Sequence, residues 1–130
     1  MPDLRIVINH LGAPGDPRAL RPEWPDAIRA IARRPNVFMK VSALVEQVPG
    51  AKGDAPRDPE YYRPILDLLW DSFGEDRLIY GSNWPVSDRG APYEVVFGIV
   101  RDAFAARGRE ASEKYFWRNA RTAYRWVDRA

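Results

Sequence analysis

Three short apolar runs, rich in β-branched residues, set the strongest limit on what this chain can become. They are "LRIVINHL" at 4–11, "NVFMKVSALV" at 36–45 and "RLIYGSNW" at 77–84. A helix-length amphipathic segment, not a two-residue turn, separates each run from the next. Connections of that length do not close hairpins, so the strands run parallel and the order reads β-α-β-α-β-α-α. Parallel strands buried on both faces carry near-continuous apolar runs, as these do. The prediction is an α/β fold of βαβ units around a parallel sheet.

The connecting segments fit that frame. "EWPDAIRAIARR" (23–34) places Trp24, Ala27, Ile28, Ile31 and Ala32 on one helical stripe, and Pro35 ends it. In "EYYRPILDLLWDSF" (60–73), Tyr62, Ile65, Leu66, Leu69 and Phe73 recur at helical spacing. Pro59 and Pro64 fall at or near its first turn, where a missing N–H costs little, and Gly74 is a natural stop. "YEVVFGIVRDAFAAR" (93–107) turns Val96, Phe97, Val100, Ala103 and Phe104 inward, and Gly108 closes it. Residues 110–130 read as one or two terminal helices, with Ser112 and Glu113 near their start. The Gly- and Pro-rich stretch 12–22 reads as loop. The stretch 46–59, "EQVPGAKGDAPRDP", is a long loop of the kind that is functional or mobile in compact domains. It lies inside a βαβ unit, so residues 1–130 are expected to form one domain.

Composition removes several function classes. Twenty basic residues nearly balance 18 acidic ones, for a net charge of +2. The arginines are scattered, without a basic block or interleaved aromatics, which argues against nucleic-acid binding. The absence of cysteine excludes disulfides, thiolate metal sites and a cysteine nucleophile. The opening "MPDLRIVINH" lacks the pattern of a signal peptide, and no apolar run approaches the ~20 residues that span a membrane. The expectation is a soluble cytoplasmic protein.

Parallel α/β sheets gather their chemistry at the C-terminal ends of the strands, and each run ends in polar residues. His10, the single histidine, closes the first. Period-2 alternation places it with Leu4, Ile6 and Ile8. It is either a metal ligand or general acid/base, or a histidine bonded into its own loop. Lys40 and Ser42 share a face with Phe38 in the second run. Lys40 either binds a substrate carboxylate or reaches the surface or a neighbouring acid. Ser82, Asn83 and Trp84 close the third, with Ile79, Gly81 and Asn83 on one face. Gly81 permits a close backbone approach. Asn83 either serves a site or caps the turn, with Trp84 packing inward. The loop carboxylates Asp16, Glu46 and Asp88 are expected to be solvated. No dinucleotide or P-loop fingerprint, nucleophile elbow or H-E-x-x-H helix occurs.

Taken together, "PDLRIVINHLGAP", "NVFMKVSAL" and "FGEDRLIYGSNWPVS", with "RNARTAY" near the end, resemble the last third to half of amidohydrolase-related metal-dependent hydrolases. The likeness is strongest to the branch of sugar-lactone and dicarboxylate lactonases, and runs from about residue 2 to residue 125. It implies part of a (β/α)8 barrel: about three C-terminal βα units with one or two terminal helices. It implies a hydrolase of lactones or related carbonyl compounds, in which a hydroxide, sometimes bound to zinc or another divalent ion, attacks the carbonyl. His10 and Asn83 match catalytic positions, and His10 would bind metal or polarise the carbonyl. Lys40, Ser42, Ser82 and Trp84 are the substrate-binding candidates.

Two departures stand out. A complete barrel takes roughly 250 residues, and the family's first-strand His-x-His pair has no counterpart here. Zinc wants about three protein ligands, so this chain alone is expected to hold no cofactor and to show little or no activity. Asn83 stands where the family has an aspartate base, and an amide accepts no proton at neutral pH. Three parallel strands leave open edges. With helices on one side only, Ile6, Ile8, Phe38 and Ile79 would face water. The partners implied are a second copy or a complementing N-terminal half-barrel, besides a small-molecule substrate. The alternatives are a non-catalytic barrel fragment or assembly module, and a small anionic-ligand-binding α/β domain.

Overall fold

A computed structural model describes residues 3–127. The first run forms β1 (Ile6–Ile8). Two strands absent from the sequence prediction follow it within the Gly/Pro-rich stretch. These are β2 (Gly15–Asp16) and β3 (Ala19–Leu20), a short antiparallel hairpin. Local chemistry forms it: the Asp16 carboxylate accepts from the Arg18 N–H at 2.9 Å, and the Arg21 N–H reaches the Pro14 carbonyl at 2.9 Å. Helix α1 (Trp24–Ala32) leads to β4 (Val37–Val41). Two 3₁₀ turns, Val45–Gln47 and Pro59–Tyr62, bracket the long loop before α2 (Arg63–Phe73) and β5 (Leu78–Tyr80). The Asp58 carboxylate caps the second turn by accepting from the Glu60 N–H, and Gly74, at φ 68°, ends α2. Then come α3 (Tyr93–Ala105), α4 (Arg109–Glu113), a π turn over Lys114–Arg118 and α5 (Asn119–Tyr124).

The sheet is parallel with order β1-β4-β5. The register pairs Val7 with Phe38 and Ile8 with Met39 on one side of β4, and Met39 with Leu78 and Lys40 with Ile79 on the other. One face carries Ile8, Met39, Val41, Leu78 and Tyr80 into the main core under α1 and α2. On α1, Trp24, Ile28 and Ala32 are buried, but Ala27 is exposed, so its stripe is narrower than predicted. Of the five predicted positions, Ile65, Leu66, Leu69 and Phe73 are buried on α2, and Tyr62 is buried in the turn before it. The inward face of α3 also takes in Val95 and Ile99, while Phe97 is only half-buried.

The opposite face corrects the prediction of a bare sheet. Ile6 and Ile8 do not share it, because the register aligns them with Val37 and Met39; Val7 lies there instead. Phe38 and Ile79 are 5% and 2% exposed, covered by Ala120 and Ala123 of α5. Three anchors hold the terminal helices in place. Asn119, itself buried, donates from Nδ2 to the carbonyls of Glu75 and Leu78 at 2.7 and 2.9 Å. Tyr115 donates its hydroxyl to the Val41 carbonyl at 3.2 Å and stacks on Phe104 at 3.7 Å. Lys114 bridges Glu75 and Asp76, and these acids hold its ammonium well above its ordinary pKa.

Replacing Asn119 by Ala removes the donor from two carbonyls at the foot of β5. Leaving buried acceptors unpaired costs about 1–3 kcal/mol each in desolvation, so Asn119→Ala is expected to lower the urea midpoint by an amount equivalent to about 2 kcal/mol. An unchanged midpoint would show that α5 is not anchored through this side chain.

Candidate active site

Each strand of the sheet ends in a backbone reversal that gathers its polar residues. Past β1, His10, Leu11, Gly12 and Ala13 all have left-handed φ values between 52° and 66°. For non-glycine residues that conformation is costly and needs outside support. Leu11 supplies it: its side chain is fully buried, and its carbonyl accepts from Trp24 Nε1 at 2.9 Å. The reversal breaks the period-2 alternation, so His10 leaves the row of Ile6 and Ile8 and meets the end of β4. Its Nδ1 lies 2.8 Å from Ser42 Oγ. Ser42 is 2% exposed, and Ala43 behind it is left-handed at φ 60°. The bond uses Nδ1 and leaves Nε2 as the nitrogen open to a ligand.

Below Ser42 on the same face, half-buried Lys40 places Nζ 5.8 Å from the Tyr124 ring. Gly81 explains how Lys40 and Ser42 fit beside β5. A Cβ at residue 81 would stand 2.9 Å from Ser42 Cβ and 3.0 Å from Lys40 Cδ. Two residues on, Asn83 turns left-handed at φ 54° and donates from Nδ2 to Glu46 Oε1 at 2.7 Å. Ser82 and Trp84 lie at the rim. The Trp84 N–H donates to Ser82 Oγ at 3.1 Å, and the indole, 45% exposed, packs edge-on to Tyr93. The structure thus brings His10 to Ser42 and Asn83 to Glu46, while Ser82 and Trp84 cap the turn.

Glu46 corrects the expectation of a solvated loop carboxylate. Besides the bond to Asn83, its Oε2 is buried without a hydrogen-bond partner. The signal was available: Glu46 lies four residues past Ser42, on the rim where catalytic groups collect. The loop that carries it is tied down, not loose. Gly53 and Ala55 donate backbone N–H groups to the carbonyls of Arg89 and Gly90 at 2.9 Å each. Gly90 has no room for a side chain, since a Cβ would stand 2.9 Å from Val45 Cγ2. Nearby, burial above all, then Tyr61 and Glu46, push the Tyr62 hydroxyl far above its ordinary pKa. Its proton is given to the Pro56 carbonyl at 2.8 Å. Asp88 is exposed, and Asp16 serves the hairpin turn.

These residues do not fit a metal ion. No cluster of three or more His, Cys, Asp or Glu side chains able to hold one occurs among the described residues, and a single histidine nitrogen falls short of an open zinc site. No described helix is long and apolar enough to cross a membrane.

Residues 1–126 match the sequence model of a family described as amidohydrolase. The chain belongs to that family. Its fold is a partial (β/α)8 barrel, with parallel strands and helices in the arrangement of solved amidohydrolases. The L-fucono-1,5-lactonase of Burkholderia multivorans is 32% identical over 118 residues, which are 86% of this chain and 40% of the relative. The L-fucono-1,5-lactonase of Burkholderia ambifaria is 41% identical over 86 residues, 66% of this chain and 28% of the relative. A crystal structure of an amidohydrolase from Burkholderia multivorans with bound zinc superposes with a TM-score of 0.83 at 27% identity, covering 95% of this chain and 44% of that one. The chain therefore spans less than half the length of these relatives.

Gly81→Ala tests the close packing at the strand ends. The added methyl meets Ser42 Cβ, which has no rotamer to move into, and overpacking of this kind costs about 1–3 kcal/mol. A chemical melt is expected to show that loss. Full stability would mean that β4 and β5 separate easily at their C-terminal ends.

Proposed function

We propose that residues 1–130 form one domain, the C-terminal part of an amidohydrolase barrel that hydrolyses lactones, of sugars or of dicarboxylates. The observation that carries this reading is a pair of side-chain hydrogen bonds, His10 to Ser42 and Asn83 to Glu46, just past the C-terminal ends of three parallel strands. Active sites of closed barrels occupy that rim. The lactonase relatives support the substrate class.

In this reading a lactone carbonyl lies over the strand ends and water attacks it. His10, held through Nδ1 by Ser42, presents Nε2 to polarise the carbonyl or move a proton. Asn83 hydrogen-bonds substrate or water. Lys40 lies lower on the same face, with an aromatic ring as its recorded neighbour, and is placed to attract a carboxylate or the hydroxyls of a sugar acid. Ser42, Ser82 and Trp84 complete the substrate contacts. A divalent metal such as zinc enters only if ligands from elsewhere in a complete barrel join His10.

The sheet argues for that completion. It ends at β1 on one side and at β5 on the other, and each has one unpaired edge among the described residues. Ile6, at 39% exposure, lies on the β1 edge. The 130-residue chain alone is therefore expected to turn over little lactone, and to need an N-terminal half-barrel or a second copy. The cytoplasm is the compartment we assign. A non-catalytic barrel fragment is the second reading, favoured by the solitary histidine.

The test is lactone hydrolysis, followed by acid release, for the chain alone and together with the N-terminal half of a lactonase barrel. Activity is expected only in the mixture. His10→Ala there should lower kcat at least about 100-fold, the usual contribution of a positioned acid/base group. A mixture that assembles and hydrolyses no sugar or dicarboxylate lactone would favour the non-catalytic fragment.

A further inference from the structure

Asn83 and Glu46 form the one side-chain pair at the strand ends that joins an amide to a carboxylate, and its geometry constrains both partners. An ionised carboxylate only accepts hydrogen bonds. The Asn83 atom 2.7 Å from Glu46 Oε1 must therefore be Nδ2, and Oδ1 is left as the acceptor of that amide. Glu46 in turn has its Oε2 buried without a donor, which is unfavourable for a carboxylate unless a hydrogen-bonding group reaches it. Asn83 sits in a left-handed conformation, and Glu46 lies in the Val45–Gln47 turn, whose Val45 is buried against Gly90.

We propose that Glu46 is the carboxylate of this site. It carries the negative charge beside Asn83 and orients the Asn83 amide through Nδ2, leaving Oδ1 to accept a hydrogen from a ligand. The charge that an aspartate at 83 would place on the strand end sits instead on the loop after β4. Position 83 is then an amide because it neighbours Glu46: a carboxylate there would face another at hydrogen-bonding distance. Glu46 acts on the reaction through Asn83 and is a positioning residue. The titratable group facing it from the Pro59–Tyr62 turn is Tyr62. The turn Val86–Arg89, packed against it, carries Asp88 and Arg89, both exposed. The role in turnover rests on the lactonase reading; the pairing does not.

Two measurements decide the pairing without any turnover. The Asn83 side-chain amide resonances, followed by NMR from pH 3 to 8, are expected to move with a single carboxylate titration, and to stop moving in Glu46→Gln. Resonances that stay still in the wild-type protein would overturn the proposal. Thermal melts of Asn83→Asp, Glu46→Gln and the double variant supply the second. Two adjacent carboxylates raise one folded-state pKa above its unfolded value, so stability is lost as pH rises through that range. Asn83→Asp should therefore melt about 5 °C or more below wild type at pH 8, and near it at pH 4. The double variant, with the charge moved back to 83, should recover most of the loss, even if the single variant does not fold at pH 8. Equal melting of Asn83→Asp and wild type at both pH values would overturn the proposal. Where lactone is hydrolysed, Glu46→Gln should lower kcat at least tenfold and shift the acid limb of the pH profile; an unchanged kcat and profile would overturn the positioning role. If no lactone is hydrolysed, the functional reading fails, and the resonances and melts still decide the pair.

Discussion

A parallel strand must be covered on both faces, and β4 is where this chain meets that demand. Its neighbours saturate both edges, and its side chains alternate between two different cores. Met39 and Val41 look toward α1 and α2, as the crossover rule for parallel strands requires. Phe38 looks the other way, toward the side that a closed barrel would fill with its remaining strands. Here α5 takes part of that place. Two alanines suffice, because small side chains let a helix approach closely over Phe38 and Ile79.

The cover is partial, and where it stops is informative. Val7, Phe38 and Ile79 lie toward the foot of the face and meet α5. Lys40 stands level with Ile79, its Nζ near Tyr124, and Gly81 and Ser42 follow toward the top of the face. Burial thus gives way to polar groups along one face, in the direction of the strands. The left-handed residues at His10, Ala43 and Asn83 appear at that transition. They are held by neighbouring packing, with Leu11 and Trp24 serving β1 and the Val45–Gly90 contact serving the β4 and β5 loops. Strained backbone supported by a rigid surround is a common arrangement where side chains must be aimed.

Much of this was legible in the sequence. Apolar runs separated by amphipathic segments are enough to specify parallel order, and the four buried positions of α2 follow from spacing alone. Three features were not legible, each for a physical reason. The phase of β1 relative to β4 is a matter of register, which a single strand does not encode, so Ile6 and Ile8 were placed with Phe38 when Val7 belongs there. The cover by α5 is a long-range contact made by residues whose local pattern says only helix. The place of Glu46 four residues past Ser42 hints at the rim, but its pairing does not show, because its partner lies 37 positions away. His10 lies just past a strand end as expected, yet its contact with Ser42 depends on a backbone reversal that alternation does not foresee.

The two hydrogen-bonded pairs at the strand ends differ in what they leave free, and that difference orders their roles. Ser42 is buried and uncharged. Its bond to His10 holds the ring through Nδ1 without committing a charge. Glu46 is anionic and partly buried, and its bond to Asn83 fixes an amide that can never change its charge. A site that must both hold a polar substrate and move a proton needs one group of each kind. In the proposed site, position 83 gives the fixed dipole and position 10 the ring, while Glu46 stands behind Asn83 on the turn after β4. The lysine lower on the same face adds the opposite charge.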